Sequence, residues 1–239
     1  MISNMGRKSH VVFDNRLAKA KKIEKIIELE KKIRSEQKLL EIGTGSGGIA
    51  FYFASYHQQK VFAVDVVDNR QFRECYNFQL VTDTKLPYED NFFDIVISNH
   101  VIEHVGGKQQ QQEHLDEIYR VLKPDGILYL AVPNRWMLVE PHYQLIFLSW
   151  LPKKYRSRYL KKIKNIDFYD CEPLAKNELE HLLRTSGFQH KNYCIEALNI
   201  FVREEKAYKG IYCIFRWLPS WILKKMVGVI PTLVYLTKR

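Results

Sequence analysis

The chain has 239 residues, 46% of them apolar, which suits one α/β domain with a sizeable core and some decoration. Its formal charge of +10 favours anionic partners without choosing among phosphates, nucleic acid and a membrane surface. A spanning helix of about 18 uncharged apolar residues is absent, and the four cysteines show neither CxxC nor zinc-ligand spacing, so the expectation is a reduced, cytoplasmic protein with buried thiols and no metal. The polar, basic segment Met1–His10 lacks the apolar core of a signal peptide.

Residues 15–36 read as a helix with Ile23, Ile26, Ile27 and Ile33 near one face, packed on the domain edge. Strand and helix then alternate. Strands are predicted at Lys38–Ile42, Lys60–Asp65, Phe78–Thr82, Phe92–Ser98 and Gly126–Val132, with helices at 47–56, 70–76 and 109–122 between them. Such alternation implies parallel βαβ units with right-handed crossovers. Residues 133–175 break the rhythm as an insertion on the acceptor side of the domain. A helix resumes at Asn177–Ser186, capped by Gly187, followed by a strand over Phe188–Ala197. Residues 205–227 form a second apolar and basic insertion, and Thr232–Thr237 reads as the last strand. One domain over residues 1–239 is expected, with no internal repeat.

The stretch Leu39-Leu40-Glu41-Ile42-Gly43-Thr44-Gly45-Ser46-Gly47-Gly48 runs from an apolar strand through a glycine-rich turn into a helix. This is how a nucleoside site is built at the carboxyl end of a parallel strand. Gly43, Gly45 and Gly48 satisfy the dinucleotide pattern G-x-G-x-x-G, which alone is weak. Glu41 argues against a diphosphate, because a carboxylate there opposes the positive helix end that a pyrophosphate needs. It tolerates a ligand bearing an ammonium and a sulfonium. Asp65 lies 22 residues after Gly43, where an acid accepts ribose hydroxyls in either class of site. Asp68 reads as a solvated loop acid.

Further on, Asp83-Thr84 precedes Leu86-Pro87-Tyr88-Glu89-Asp90-Asn91-Phe92-Phe93-Asp94, and Arg120-Val121-Leu122-Lys123-Pro124-Asp125-Gly126 leads into the fifth strand. With the glycine turn and Asp65, these motifs span residues 38–135 in order. The chain resembles the class I S-adenosylmethionine-dependent methyltransferases, nearest the quinone-biosynthesis, small-molecule and glycan branch. The resemblance implies a Rossmann-like, seven-stranded, mostly parallel sheet with helices on both faces, the last strand antiparallel. It implies S-adenosyl-L-methionine as cofactor. Glu41 would hold the glycine loop or act indirectly on the methionine ammonium. Gly43, Thr44 and Gly45 would admit the methionine and ribose, Asp65 would take the ribose, and Asp83 with Thr84 would read adenine. Ser98 would face the sulfonium, with Asn99 and His100 beside it. A nicotinamide oxidoreductase and a catalytically silent membrane module are the rival readings.

A hydroxyl acceptor benefits from a general base, for which histidine is the natural type. His142, in Glu140-Pro141-His142-Tyr143, is the preferred candidate and Tyr143 the second. His104 is expected to pack beneath the cofactor, and His114 to face solvent. The apolar run Tyr143–Pro152 is followed by Lys153–Lys164, which has seven basic residues and no acid. Three of the four tryptophans, Trp150, Trp217 and Trp221, fall in Tyr143–Lys164 and in the apolar and basic segment Ile211–Met226, a composition that suits a bilayer interface. The expected partners are a small-molecule or lipid-linked acceptor and the anionic inner face of a membrane. A helical lid is the alternative. With no RNA-binding module recognisable, nucleic acid ranks below both.

Overall fold

A computed structural model describes residues 13–140, 142–204 and 227–239. The expected stretches Met1–His10 and most of 205–227, with Cys213, Trp217 and Trp221, lie outside them. Helix α1 (Phe13–Ile27) precedes β1 (Lys38–Ile42), α2 (Gly48–Tyr56), β2 (Lys60–Asp65), β3 (Asn77–Leu80) and β4 (Phe93–Asn99). Helix α3 (Lys108–Val121) leads into β5 (Leu122–Pro133), the short strands β6 (Val139–Glu140) and β7 (Leu145–Ile146), and α4 (Lys153–Lys164). Then come α5 (Lys176–Thr185), β8 (Gln189–Asn192), α6 (Cys194–Glu204) and β9 (Thr232–Lys238).

The main sheet runs in the order β3-β2-β1-β4-β5-β9-β8. Strands β3 to β5 are mutually parallel, and β9 enters antiparallel between β5 and β8. This is the expected sheet, including its reversed last strand. Leu39 to Ile42 are all buried, as befits a central strand covered on both faces. On one face, Ile23, Ile26 and Ile27 of α1 and Phe53 of α2 pack with Ile95, Ile97 and Tyr129. On the other, Leu115 and Ile118 of α3 and Leu179 and Leu183 of α5 pack with Leu40, Val96 and Leu130. Each such aliphatic side chain contributes roughly 1.5–3 kcal/mol by leaving water. Because β1 and β4 adjoin and their connections leave on opposite sides, their carboxyl ends open a crevice where ligands bind in this topology.

Several elements differ from the sequence reading, each for a local reason. The first helix ends at Ile27 rather than 36. Beyond it Glu30 accepts from Lys191 Nζ (2.8 Å), Lys238 Nζ (2.9 Å) and Tyr193 Oη, which draws the chain towards β8 and β9. Residues 70–76 form no helix. The Gln71 and Phe72 amides donate to Ser46 O (2.9 and 3.1 Å), tying the segment to the glycine turn, and Cys75 is left-handed. Asp68 is not simply solvated, because Arg70 grips it through Nε (2.9 Å) and Nη2 (3.0 Å). The strand expected through Ala197 stops at Asn192, whose Oδ1 accepts the Cys194 amide (3.0 Å) and starts α6. Cys171 and Cys194 are buried as expected, whereas Cys75 is exposed.

Candidate active site

The turn after β1 is held from below by one buried carboxyl group. Glu41 Oε2 accepts from Thr44 Oγ1 (2.6 Å) and from the Ala50 amide (3.0 Å), so it links the loop to the first turn of α2. Burial pushes the Glu41 carboxyl up to about 8, against the lowering effect of those two hydrogen bonds. From the side, Val64 O accepts the Gly43 amide (2.8 Å) and Asp65 Oδ2 the Gly45 amide (2.8 Å). Gly43 and Gly45 have φ of +71° and +53°, and a Cβ on Gly43 would stand 2.5 Å from Val101 Cγ2. Glycine is therefore required there on both counts. Side chains crowd most of the loop: Val101 meets Gly43, Tyr76 meets Gly47 and Arg16 meets Gly48, so that only Gly45 faces open space. Arg16 of α1 lies over it, with Nη2 4.0 Å from where a Gly45 Cβ would be. No motif in the sequence pointed to Arg16.

Asp65 also accepts the Val66 amide (2.7 Å), which fixes its carboxylate at the end of β2. Asp83 and Thr84 lie in the turn beyond β3. Asp83 is exposed and accepts the Lys85 amide (2.8 Å), while Asp65 O accepts the Val81 amide (3.0 Å), which binds this turn to the end of β2. Asn99 ends β4, and His100 follows in a left-handed conformation, φ 59°, its amide donating to Ala131 O (2.8 Å). A β-region residue forced into that conformation is strain of the kind found at functional sites. Ser98 departs from expectation. It is fully buried, with its hydroxyl 3.1 Å from His114 Nε2 rather than facing the crevice. His114 is likewise buried, not solvated, and that burial lowers its pKa to about 4.

Three histidines that are dispersed in sequence converge beyond β4. The His142 ring centre is 5.3 Å from that of His104 and 6.4 Å from that of His100. His142 Nδ1 lies 2.6 Å from Glu140 Oε1, and Glu140 Oε2 accepts the Tyr143 amide (2.7 Å). The Tyr143 hydroxyl donates to Asp170 Oδ1 (2.8 Å), so it is engaged in fastening the hairpin to residue 170. His104 does not pack away beneath a cofactor but faces His142 and Cys171. The donor atoms of His104, His142 and Cys171 lie within 4.8 Å of one another, the one such His/Cys cluster among the described residues. Burial and the neighbouring carboxylates push the Cys171 thiol up, which leaves it protonated. Sequence reasoning passed over Glu103, Asp170 and Cys171. The acid–histidine pairs at 103–104 and 140–142 were visible as short spacings; Cys171 carried no local signal.

The family description "Methyltransferase domain" matches residues 40–130, from β1 to the middle of β5. The ubiquinone/menaquinone biosynthesis C-methyltransferase of Ruegeria sp. is 32% identical over 136 residues, 50% of this chain and 52% of that protein. The ubiquinone biosynthesis O-methyltransferase of Rickettsia akari is 27% identical over 173 residues, 66% of this chain and 64% of its own length. A solved S-adenosylmethionine-dependent methyltransferase from Archaeoglobus fulgidus shares the fold, with a TM-score of 0.57 at 18% identity over 94% of both chains. Residues 40–130 carry a methyltransferase domain, and the chain has the class I methyltransferase fold. It spans less than two thirds of the length of either quinone-pathway relative.

The methyltransferase site fits its cofactor. Gly45 leaves open space for backbone approach, Asp65 Oδ2 accepts its amide, and Ser46 Oγ is buried without a hydrogen-bond partner among the described residues. The nicotinamide alternative is set aside by the family match. Substituting Asp65→Ala is expected to lower affinity for S-adenosylhomocysteine at least tenfold by calorimetry, and unchanged affinity would contradict the assignment. Two buried groups also set the pH dependence of folding. Glu41 stabilises fully below its unfolded value of 4.5 and loses that contribution as pH rises towards 8. His114 stabilises fully above 6.5 and loses its contribution as pH falls towards 4. Between pH 6.5 and 8 only Glu41 of the two acts, so stability should fall by up to about 1.4 kcal/mol per pH unit. Urea melts of Glu41→Gln should lack that slope.

Proposed function

We propose that the protein transfers the methyl group of S-adenosyl-L-methionine to a hydroxyl of a lipid-linked, glycan or quinone-like acceptor presented at a membrane surface. The observation that carries this reading is the His142–Glu140 pair, 2.6 Å apart, at the carboxyl end of β4 beside His100. The cofactor supplies an electrophilic methyl on a sulfonium, and the protein's task is to hold the acceptor oxygen in line and exclude water. A ring whose Nδ1 donates to Glu140 presents Nε2 as an acceptor, which suits removal of the hydroxyl proton. Glu140 holds the ring and stabilises the imidazolium that results. Tyr143, engaged with Asp170, is a positioning residue that keeps the hairpin over the site. The two quinone-pathway relatives support an amphiphilic acceptor.

The surface around that hairpin supports the membrane. Leu138, Val139, Ile146, Phe147 and Trp150 are all exposed, and Phe147 is left-handed. Phe147 and Trp136 both stack edge-on against Trp150. Helix α4 follows immediately, with Lys153, Lys154, Arg158, Lys161, Lys162 and Lys164 exposed and only Arg156 and Leu160 buried. Exposed aromatic residues beside a basic face match an anionic bilayer interface, at about 1 kcal/mol per lysine or arginine near the surface. No helix among the described residues is long and apolar enough to cross a membrane. His142 sits between Val139 and Ile146, so the same hairpin that would dip into the interface carries the base.

His142→Ala should lower kcat for a hydroxyl acceptor by about 10²–10⁴-fold, with affinity for S-adenosylhomocysteine kept. Equal kcat in the two proteins would exclude the base. The protein should float with phosphatidylserine-containing vesicles at low salt and lose that behaviour on Phe147→Asp. Failure of the unaltered protein to float would remove the membrane reading.

A further inference from the structure

We propose that His104, His142 and Cys171 form a binding site for one divalent ion of the zinc class. Cys171 Sγ lies 3.7 Å from His104 Nδ1 and 3.9 Å from His142 Nδ1. A tetrahedral centre with metal–nitrogen bonds of about 2.05 Å and metal–sulfur bonds of about 2.3 Å spaces nitrogen and sulfur about 3.6 Å apart. Cys171 Sγ therefore stands close to its ligating separation from each nitrogen, and all three donor atoms lie within 4.8 Å of one another. Two imidazoles and a thiolate are a donor set that selects borderline metals over magnesium or calcium.

The surroundings are those that a metal site requires. Glu140 Oε1 lies 2.6 Å from His142 Nδ1, a hydrogen bond that an ion at Nδ1 would replace. On the far side of His104, Glu103 Oε1 is 3.8 Å from Nε2, the position from which a carboxylate orients a ligating imidazole. Glu103 and Glu140 are each 1% exposed, and neither oxygen of Glu103 has a hydrogen-bond partner among the described residues. Its nearest nitrogens are His100 Nδ1 at 3.4 Å and His104 Nε2 at 3.8 Å. A buried carboxylate left in this condition is costly, and a dication within the cluster offsets it. On binding, the Cys171 thiol releases its proton to solvent, and His142 moves its proton from Nδ1 to Nε2. A neutral imidazole has one lone pair. Ion binding at Nδ1 and proton acceptance at Nε2 are thus alternative states of His142. This last consequence rests on the proposed base; the site itself rests on its own distances.

Cobalt(II) titrated into the full chain, stripped of metal, tests the site without reference to activity. One equivalent should produce a near-ultraviolet thiolate-to-cobalt charge-transfer band and intense visible bands of a tetrahedral centre, all bleached by zinc. Cys171→Ser should abolish the charge-transfer band while Cys75→Ser, at the exposed cysteine, retains it. Glu103→Gln should bind cobalt about 10–100-fold more weakly. Circular dichroism and binding of S-adenosylhomocysteine verify that each variant is folded. No charge-transfer band in the unaltered protein would overturn the proposal, whatever the variants do. A band that survives Cys171→Ser would do the same.

Discussion

The cofactor side depends on one buried carboxyl group beneath the glycine turn. Glu41 is buried beneath the glycine turn and accepts from Thr44 and from the Ala50 amide, so a single oxygen ties the end of β1 to the start of α2. Without that tie the loop would have to close over an apolar hole. With it, the backbone turns through Gly43 and Gly45 and rests on Val64 O and Asp65. The cost is visible in the raised carboxyl pKa, a price in stability above neutrality. Below pH 8 the carboxyl is held protonated and acts on the loop as a hydrogen-bonding tie rather than as a charge.

The acceptor side is built differently. Its residues come from the segment after β4, from the β6–β7 hairpin and from residues 170–171, and they meet only because the insertion folds back over the end of the sheet. Tyr143 and Asp170 fasten the hairpin at one point, and the Glu172 amide donating to Glu103 O (2.8 Å) fastens it at another. Buried Arg156 reinforces the base of the insertion through Leu151 O and Ser149 O. These contacts bring the rings of His100, His104 and His142 together and leave the apolar hairpin tip exposed.

The sheet was legible in the sequence because its signals are local. Buried runs such as Leu39–Ile42 and Ile95–Ser98 announce parallel strands, and the glycine turn needs neighbouring residues only. Boundaries failed where a distant contact overrode local propensity. Glu30 unwound α1 towards Lys191 and Lys238, Ser46 O captured residues 71 and 72, and Asn192 converted half of an expected strand into α6. The same distinction divides the site. Glu41 and Asp65 could be named from the strand ends, and His142 from its place in the insertion after β5, where the resemblance puts acceptor loops. Ser98 was misplaced because alternation along β4 turns its hydroxyl inward to His114, which itself hides among glutamines on α3. Cys171 lies 67 residues from His104, and no spacing rule reaches that far.

The account stands most directly on which nucleoside the crevice holds. Isothermal titration calorimetry of the full chain with S-adenosylhomocysteine, and separately with NADH and NADPH, measures that choice. Saturable binding of S-adenosylhomocysteine at one site per chain, with no heat from either nicotinamide, is the predicted result. Tight binding of a nicotinamide dinucleotide and none of S-adenosylhomocysteine would contradict it.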